Sequence, residues 1–243
     1  MQKEDILKYS QQFIAYFKHD EPRHLFNGFF MRNKWYIYLI TVNHGLAIDF
    51  DQAEKIYLIL HANSKGLSTR AFKIETWNFI NLLKFLDEGE FAFPYVDERV
   101  DVAYCIVDNK VFEASLEILP FILQDAESSF CHQRTIYPIA FPPDAIVPSK
   151  CKKYYLAGKI MNFVNDAYVE CKTYFYENMT YIGDREGLWE FHINQQSTID
   201  DWAGLRGSPV FDEDENFIGM ALRYREEDNA LRVLPASELM KRL

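Results

Sequence analysis

Hydrophobic positions near the start of the chain recur at helical spacing. Ile6, Tyr9, Phe13 and Phe17 lie three or four residues apart and are separated by polar positions. This is the spacing of residues on one face of an α-helix. The pattern predicts one amphipathic helix over residues 4–18. We expect its apolar face to pack on the rest of the domain, and a helix that docks on a partner is the alternative.

After residue 22 the pattern changes to runs of aromatic and β-branched residues, which are typical of β-strands. Residues 25–41 fit two strands joined by a tight turn at Arg32-Asn33-Lys34. Further runs that fit strands are 55–60, 154–161, 167–176, 187–193 and 217–222. Residues 77–86 fit a strand or a short helix, and residues 238–242 fit a short C-terminal helix. The pattern therefore predicts an all-β chain with a helix at each end.

Prolines mark a break near the middle of the chain. Between residues 108 and 150 lie Pro120, Pro138, Pro142, Pro143 and Pro148, and proline suits connections because it lacks an amide donor. The expected organisation is an N-terminal helix over residues 1–22, a first β-lobe over 23–115, an inter-lobe linker over 116–150 and a second β-lobe with its C-terminal helix over 151–243.

Composition narrows the possible partners. The chain has 243 residues, of which 49% are hydrophobic, enough to build a core in one domain or two packed lobes. Its 26 basic and 36 acidic residues give a net charge of -10. Such a charge disfavours a sequence-independent grip on phosphates. We therefore expect no nucleic-acid partner.

The cysteine, histidine and hydropathy patterns give no sign of a metal, a cofactor or a membrane-spanning segment. The four cysteines form no C-x-x-C pair, and the six histidines show no H-E-x-x-H spacing, so we expect reduced thiols, no metal and no cofactor. The N-terminus carries charges from Lys3 onward and does not resemble a secretory signal. No apolar run reaches the roughly 18 residues that span a bilayer. We expect a cytoplasmic protein with no membrane partner.

A glycine-framed stretch stands out in the second half of the chain. It is Gly204-Leu205-Arg206-Gly207-Ser208-Pro209-Val210-Phe211, followed by an acidic turn and the apolar run 217–222. This stretch resembles the nucleophile loop of trypsin-like serine proteases, Gly-x-Ser-Gly-(Gly or Ser)-Pro-Val. Arg206 stands where that family has its nucleophilic serine.

Two further segments resemble the same family. Thr41-Val42-Asn43-His44 ends a predicted strand, like the family's Thr-Ala-x-His, whose histidine is the general base. Asp101-Val102-Ala103 is similar to the family segment whose aspartate orients that histidine. The order His44, Asp101, Arg206 is the chymotrypsin-type order, and other hydrolase folds use different orders. The resemblance implies a trypsin-like double β-barrel.

The arginine changes what the resemblance implies about chemistry. A guanidinium is protonated at physiological pH, offers only hydrogen-bond donors and is not a nucleophile. His44 and Asp101 would then be a vestigial base and its orienter, and Gly204 and Gly207 would keep the loop tight. Arg206 is expected to pair with Asp101 or with the acidic residues upstream. Asp200 stands where some trypsin relatives carry an acidic specificity residue.

The expected function is that of a catalytically inactive protease homologue that binds a protein or peptide. The resemblance to bacterial relatives implies a subunit of a multi-component stress or defence system. An active serine endopeptidase that uses Ser208, or a rearranged loop, is the alternative. A structural subunit whose cleft is unused is a third interpretation.

Overall fold

The computed structural model describes fourteen stretches of the chain: residues 2–17, 22–43, 53–62, 69–74, 80–81, 101–107, 116–119, 122–125, 137–142, 146–165, 168–195, 197–198, 202 and 204–243. Within them, a short helix α1 (Lys3–Leu7) precedes the strands of the first half of the chain. These are β1 (Gln11–Phe17), β2 (Pro22–Arg32), β3 (Ile37–Thr41), β4 (Ala53–Ala62), β5 (Thr69–Ile74), β6 (Ile80–Asn81), β7 (Ala103–Val107) and β8 (Leu116–Leu119).

The second half of the chain is also built from strands and ends in a helix. Its elements are β9 (Ile122–Asp125), β10 (Ile139–Ala140), β11 (Tyr154–Asn165), β12 (Tyr168–Arg185), β13 (Leu188–His192), β14 (Pro209–Asp212), β15 (Phe217–Arg225), β16 (Ala230–Pro235) and α2 (Ala236–Met240). The predicted all-β fold with short terminal helices is confirmed. None of the helices in the described stretches has the length and apolar character needed to cross a membrane.

The two lobes repeat one strand order. In the first, β1, β2 and β3 form an antiparallel meander, β4 pairs with β1, and β7 pairs with β3. In the second, β11, β12 and β13 form the meander, β14 pairs with β11, and β16 pairs with β13. A fourth strand that returns to lie beside the first defines a Greek key. Each lobe is thus an antiparallel Greek-key unit.

The second lobe closes on itself. Successive pairings run from β11 through β14, β15, β16, β13 and β12, and β12 pairs back onto β11. Closure into a six-stranded barrel leaves no edge among these strands. In the first lobe, over the described residues, the order is β6-β7-β3-β2-β1-β4-β5-β8. One closed barrel and one half-barrel match the predicted double β-barrel.

The N-terminal segment corrects the sequence-based prediction. Helix α1 covers only Lys3–Leu7, and Gln11–Phe17 forms β1 instead of the second half of the predicted helix over residues 4–18. Strand β1 pairs with β2 on one side and β4 on the other, so its backbone groups find partners on both sides. Aromatic residues are common in strands as well as on helix faces, so their spacing alone did not decide the structure. The pairings of β1 with β2 and β4 outweigh the local helical spacing.

The segment predicted as a linker contains strands of both sheets. Strand β8 pairs with β5 of the first sheet, and β9 pairs with β12 of the second. The chain therefore crosses between lobes between β8 and β9, inside residues 116–150. The short strand β10 then returns to pair in parallel with β2.

A buried carboxylate holds the turn between β14 and β15. Asp212 is fully buried, and its oxygens accept hydrogen bonds from the Lys152 ammonium at 2.7 Å and the Asn216 backbone amide at 2.9 Å. Burial alone would raise the pKa of Asp212, but the hydrogen bonds from Lys152 and Asn216 lower it below its ordinary value. The acidic turn is thus fastened to the start of β11 and is not merely a solvated loop.

We predict that Asp212→Asn lowers the free energy of unfolding at neutral pH by about 2 kcal/mol, because the buried side chain loses the charge that strengthens its hydrogen bonds from Lys152 and Asn216. Since the folded-state pKa is lowered, the carboxylate contributes in full above its ordinary pKa near 3.8. This contribution is lost as the pH falls through the folded-state value. Denaturant unfolding at several pH values measures both effects. Glu213→Gln, at the exposed neighbouring position, is the control and should match wild type at neutral pH.

Candidate functional site

The loop that carries Arg206 is tied into the second barrel by backbone hydrogen bonds. The amide of Gly207 donates to the carbonyl of Ala221 in β15 at 2.8 Å, and the amide of Ala221 donates to the carbonyl of Ser208 at 2.9 Å. Within the loop, Leu205 N donates to Trp202 O and Ser208 N donates to Leu205 O, both at 3.1 Å. The loop therefore has a defined shape set by β15.

Asn27 of β2 fastens this loop to the first lobe. Its backbone amide donates to the carbonyl of Arg206 at 2.9 Å. Its side-chain Nδ2 donates to the carbonyl of Gly204 at 2.5 Å and to that of Lys159 in β11 at 3.2 Å. One residue of the first lobe thus binds both ends of the Gly204–Arg206 segment and a strand of the second barrel.

The remaining polar groups of Asn27 are also satisfied. Its Oδ1 accepts a hydrogen bond from the Ser10 hydroxyl at 3.1 Å, and its carbonyl accepts one from the Thr41 hydroxyl at 2.7 Å. Asn27 is fully buried, where an unpaired amide would be costly. No sequence motif marks Asn27 as a site residue. The available signal was an asparagine inside an otherwise aromatic strand, Phe26-Asn27-Gly28-Phe29-Phe30.

Gly207 allows the loop to approach Asn27. Its φ is +83°, in the left-handed region that side chains disfavour. A Cβ at this position would lie 2.0 Å from the Asn27 carbonyl oxygen. The predicted need for glycine at Gly207 therefore has two causes, backbone conformation and contact between the lobes. Gly204 is buried, and its role in the described structure is to supply the carbonyl that Asn27 binds.

Ser208 ends the loop, and its side chain lies in the interior of the protein. The residue is fully buried, and its hydroxyl has no hydrogen-bond partner among the described residues. A Cβ built on Gly158 of β11 would lie 2.8 Å from the Ser208 Oγ, so the hydroxyl packs directly against that glycine. A nucleophile must reach an incoming carbonyl, and this placement disfavours Ser208 in that role.

Asp101 lies next to the segment that leads to His44. The residue is buried, and its Oδ1 accepts a hydrogen bond from the backbone amide of Asn43 at 2.9 Å. Asn43 directly precedes His44 in the chain. Both amide atoms of the Asn43 side chain are buried without a hydrogen-bond partner among the described residues. The predicted site residues His44 and Asp200 lie outside the described residues. What the structure does show is that Asp101 binds the residue directly before His44.

An aromatic stack anchors the segment that precedes the loop. The Trp202 ring stacks on Tyr176 at 4.3 Å and on Tyr224 at 5.3 Å between centroids. Its indole nitrogen donates to the Ser197 hydroxyl at 2.7 Å, which also lies 2.9 Å from the Tyr176 hydroxyl. Buried aromatic pairs with satisfied polar ends are rigid and stabilising. The start of the loop is therefore fixed in the core of the second barrel.

Arg206 itself is half-buried. The structure fixes its backbone through the Asn27 amide, and its guanidinium remains charged at physiological pH. Among the described residues there is no group of three side chains suited to hold a metal ion. The described part of the site thus comprises a loop of defined shape, a buried carboxylate at Asp101 and the half-buried cation Arg206.

The two repeated Greek-key lobes define a chymotrypsin-like double β-barrel. No protein-family model and no curated protein matches the sequence. Among solved structures, a tobacco vein mottling virus protease is similar, with 9% identity and a TM-score of 0.47 over 97% of this chain and 80% of that one. A catalytically inactive tobacco etch virus protease complexed with substrate has 11% identity and a TM-score of 0.44 over 97% and 81%. At these values the neighbours carry no functional argument, and the fold assignment rests on strand order.

We predict that Gly207→Ala lowers the free energy of unfolding by about 3 kcal/mol or more. Alanine pays about 1–2 kcal/mol for the left-handed conformation, and its methyl group forces Asn27 and the loop apart. Denaturant unfolding measures the loss. Gly183→Ala is the matched control, since nothing lies within 4 Å of a Cβ there, and it should change stability by less than about 0.5 kcal/mol. Equal effects of the two substitutions would contradict the assigned contact.

Proposed function

We propose that this protein is a catalytically silent homologue of chymotrypsin-fold proteases that binds a protein or peptide partner. The observation that carries the proposal is the state of the Arg206 loop. Asn27, Gly207 and β15 hold its backbone in a defined shape, yet the side chain at the nucleophile position is a cation. A retained frame without a nucleophile favours recognition over cleavage.

The chemistry of acyl transfer supports the proposed silence. A serine-type mechanism needs a hydroxyl within reach of the base, and arginine supplies neither the oxygen nor a proton acceptor. Loss of one triad member leaves only the residual rate that comes from binding and from oxyanion stabilisation. The rival proposal of an active peptidase relies on Ser208, whose hydroxyl packs against Gly158.

The proposed role is that of a binding or adaptor subunit in the cytoplasm, within a bacterial multi-component stress or defence system. Its partner is a peptide segment or another protein, held in the cleft where Arg206 and Asp101 would meet it. Asp200, close to the loop in sequence, is proposed to contribute to selection of that segment.

Restoring the hydroxyl tests the proposed silence. We expect no covalent labelling of the wild-type protein by a fluorophosphonate probe and no peptide hydrolysis. Arg206→Ser should be labelled and Arg206→Ala should not, because only serine supplies the attacking hydroxyl, and a positioned general base should speed that attack by roughly 10²–10⁴. The double variant His44→Ala, Arg206→Ser should lose this gain. Labelling of the wild type that Ser208→Ala abolishes would sink the proposal and favour the active peptidase.

The binding role has a separate test. Affinity capture from the native host, quantified by mass spectrometry, should recover a partner with the wild type and about tenfold less of it with Arg206→Glu. The control Ile182→Ser alters an exposed apolar side chain of β12 and should recover the partner normally. Equal recovery with all three proteins would indicate a structural subunit whose cleft is unused.

A further inference from the structure

The hairpin between β2 and β3 presents large apolar side chains to solvent. Trp35 is 74% exposed and Tyr36 is 51% exposed, and Ile106 of β7 is 55% exposed. Ile106 pairs directly with Tyr38, and Tyr36 lies two residues before Tyr38. The Tyr36 ring contacts the Tyr38 ring at 6.3 Å between centroids, and directly opposed residues of paired strands share a face, so Tyr36 and Ile106 lie on the same side of the sheet. We call Arg32, Lys34, Trp35, Tyr36 and Ile106 the aromatic tip.

The turn that carries the aromatic tip is pre-organised. The Asn33 Oδ1 accepts hydrogen bonds from the backbone amides of Trp35 at 2.8 Å and Tyr36 at 2.7 Å. The amide of Asn33 donates to the Tyr36 carbonyl at 3.1 Å, and its Nδ2 donates to the buried Tyr38 hydroxyl at 3.1 Å. The exposed rings thus stand on a rigid base, so little conformational entropy is lost when they bind.

The charge around the tip is opposite to that of the whole chain. Arg32 and Lys34 are exposed, and the Lys34 ammonium lies 4.8 Å from the centroid of the Trp35 ring. Residues 22–48 contain no aspartate or glutamate, although the chain has 36 of them and a net charge of -10. The hairpin thus carries two exposed cations beside its aromatic side chains and no acidic side chain of its own, and the C-terminal residue Leu243 lies against the Tyr38 hydroxyl.

We propose that the aromatic tip docks on the surface of an anionic lipid bilayer. Tryptophan and tyrosine favour the headgroup region, where the ring is apolar and its polar edge is wet. Lysine and arginine beside them are attracted to anionic headgroups. The projecting turn of a hairpin enters a bilayer surface without a preformed concave partner, whereas small-ligand sites are concave. Docking is peripheral and requires no membrane-spanning segment.

This inference departs from the expectation of no membrane partner, which rested on the absence of a long apolar run. Surface docking needs only a few interfacial side chains and local charge. The acidic remainder of the molecule is repelled by anionic lipid, which orients the tip toward the bilayer. The inference is independent of the proposed cleft function, because none of the tip residues belongs to the Arg206 loop.

Vesicle binding tests the proposal directly. The wild type should sediment with phosphatidylcholine vesicles that contain phosphatidylserine, and less with phosphatidylcholine alone. Binding should weaken as salt rises, because the attraction is screened. Trp35→Ser should reduce binding about tenfold, and Lys34→Glu should reduce it roughly fivefold or more. Lipids with brominated chains should quench the fluorescence of the wild type but not that of Trp35→Ser.

Matched controls separate specific docking by the aromatic tip from nonspecific adsorption of the protein to lipid. Ile182→Ser removes an exposed apolar side chain of the second barrel, and Arg185→Glu reverses an exposed charge there. Both should bind vesicles like the wild type. The proposal is overturned if the wild type binds neither vesicle type, or if Ile182→Ser weakens vesicle binding as much as Trp35→Ser does. Concentration-dependent self-association that Trp35→Ser abolishes, without vesicle binding, would instead assign the tip to a protein contact and also overturn it.

Discussion

The buried amide of Asn27 is the constraint on which the relation between the two lobes depends. It joins β2 to the carbonyls of Gly204, Arg206 and Lys159 and is in turn held by Ser10 and Thr41. Loss of the side chain would leave buried carbonyls unpaired, at about 1–3 kcal/mol each. The same contact requires glycine at position 207, because any side chain there meets the Asn27 carbonyl.

This constraint fixes the backbone of the Arg206 loop independently of the side chain that the loop carries. The shape of the loop is set by Asn27, by Gly207 and by pairing with β15, and none of these depends on the side chain at position 206. A substitution at position 206 is therefore expected to leave the loop backbone in place. Asp101 likewise has a structural role, because its side chain binds the Asn43 backbone.

Features that depend on residues close together in the sequence were predicted correctly, and features that depend on contacts between distant segments were not. Strands such as β3, β11 and β15 were predicted because their apolar runs are local and continuous. The helix predicted over residues 4–18 ends at Leu7, and Gln11–Phe17 is a strand because its pairing with β2 and β4 decides its conformation. Motif order led to Asp101 and the Arg206 loop, whereas Asn27 was missed. Its partner Gly204 lies 177 residues away in sequence.

The amino-acid sequence by itself determined the strand-rich character of the chain, the glycine-framed loop and the arginine within it, because these depend on local pattern and residue identity. Only the tertiary structure decided that residues 11–17 form a strand, that Ser208 faces the interior against Gly158, and that Trp35 projects from a rigid turn. Those outcomes depend on which distant segments pack together. Backbone pairing, burial and exposure are properties of such long-range contacts, and a single sequence without its fold does not specify them.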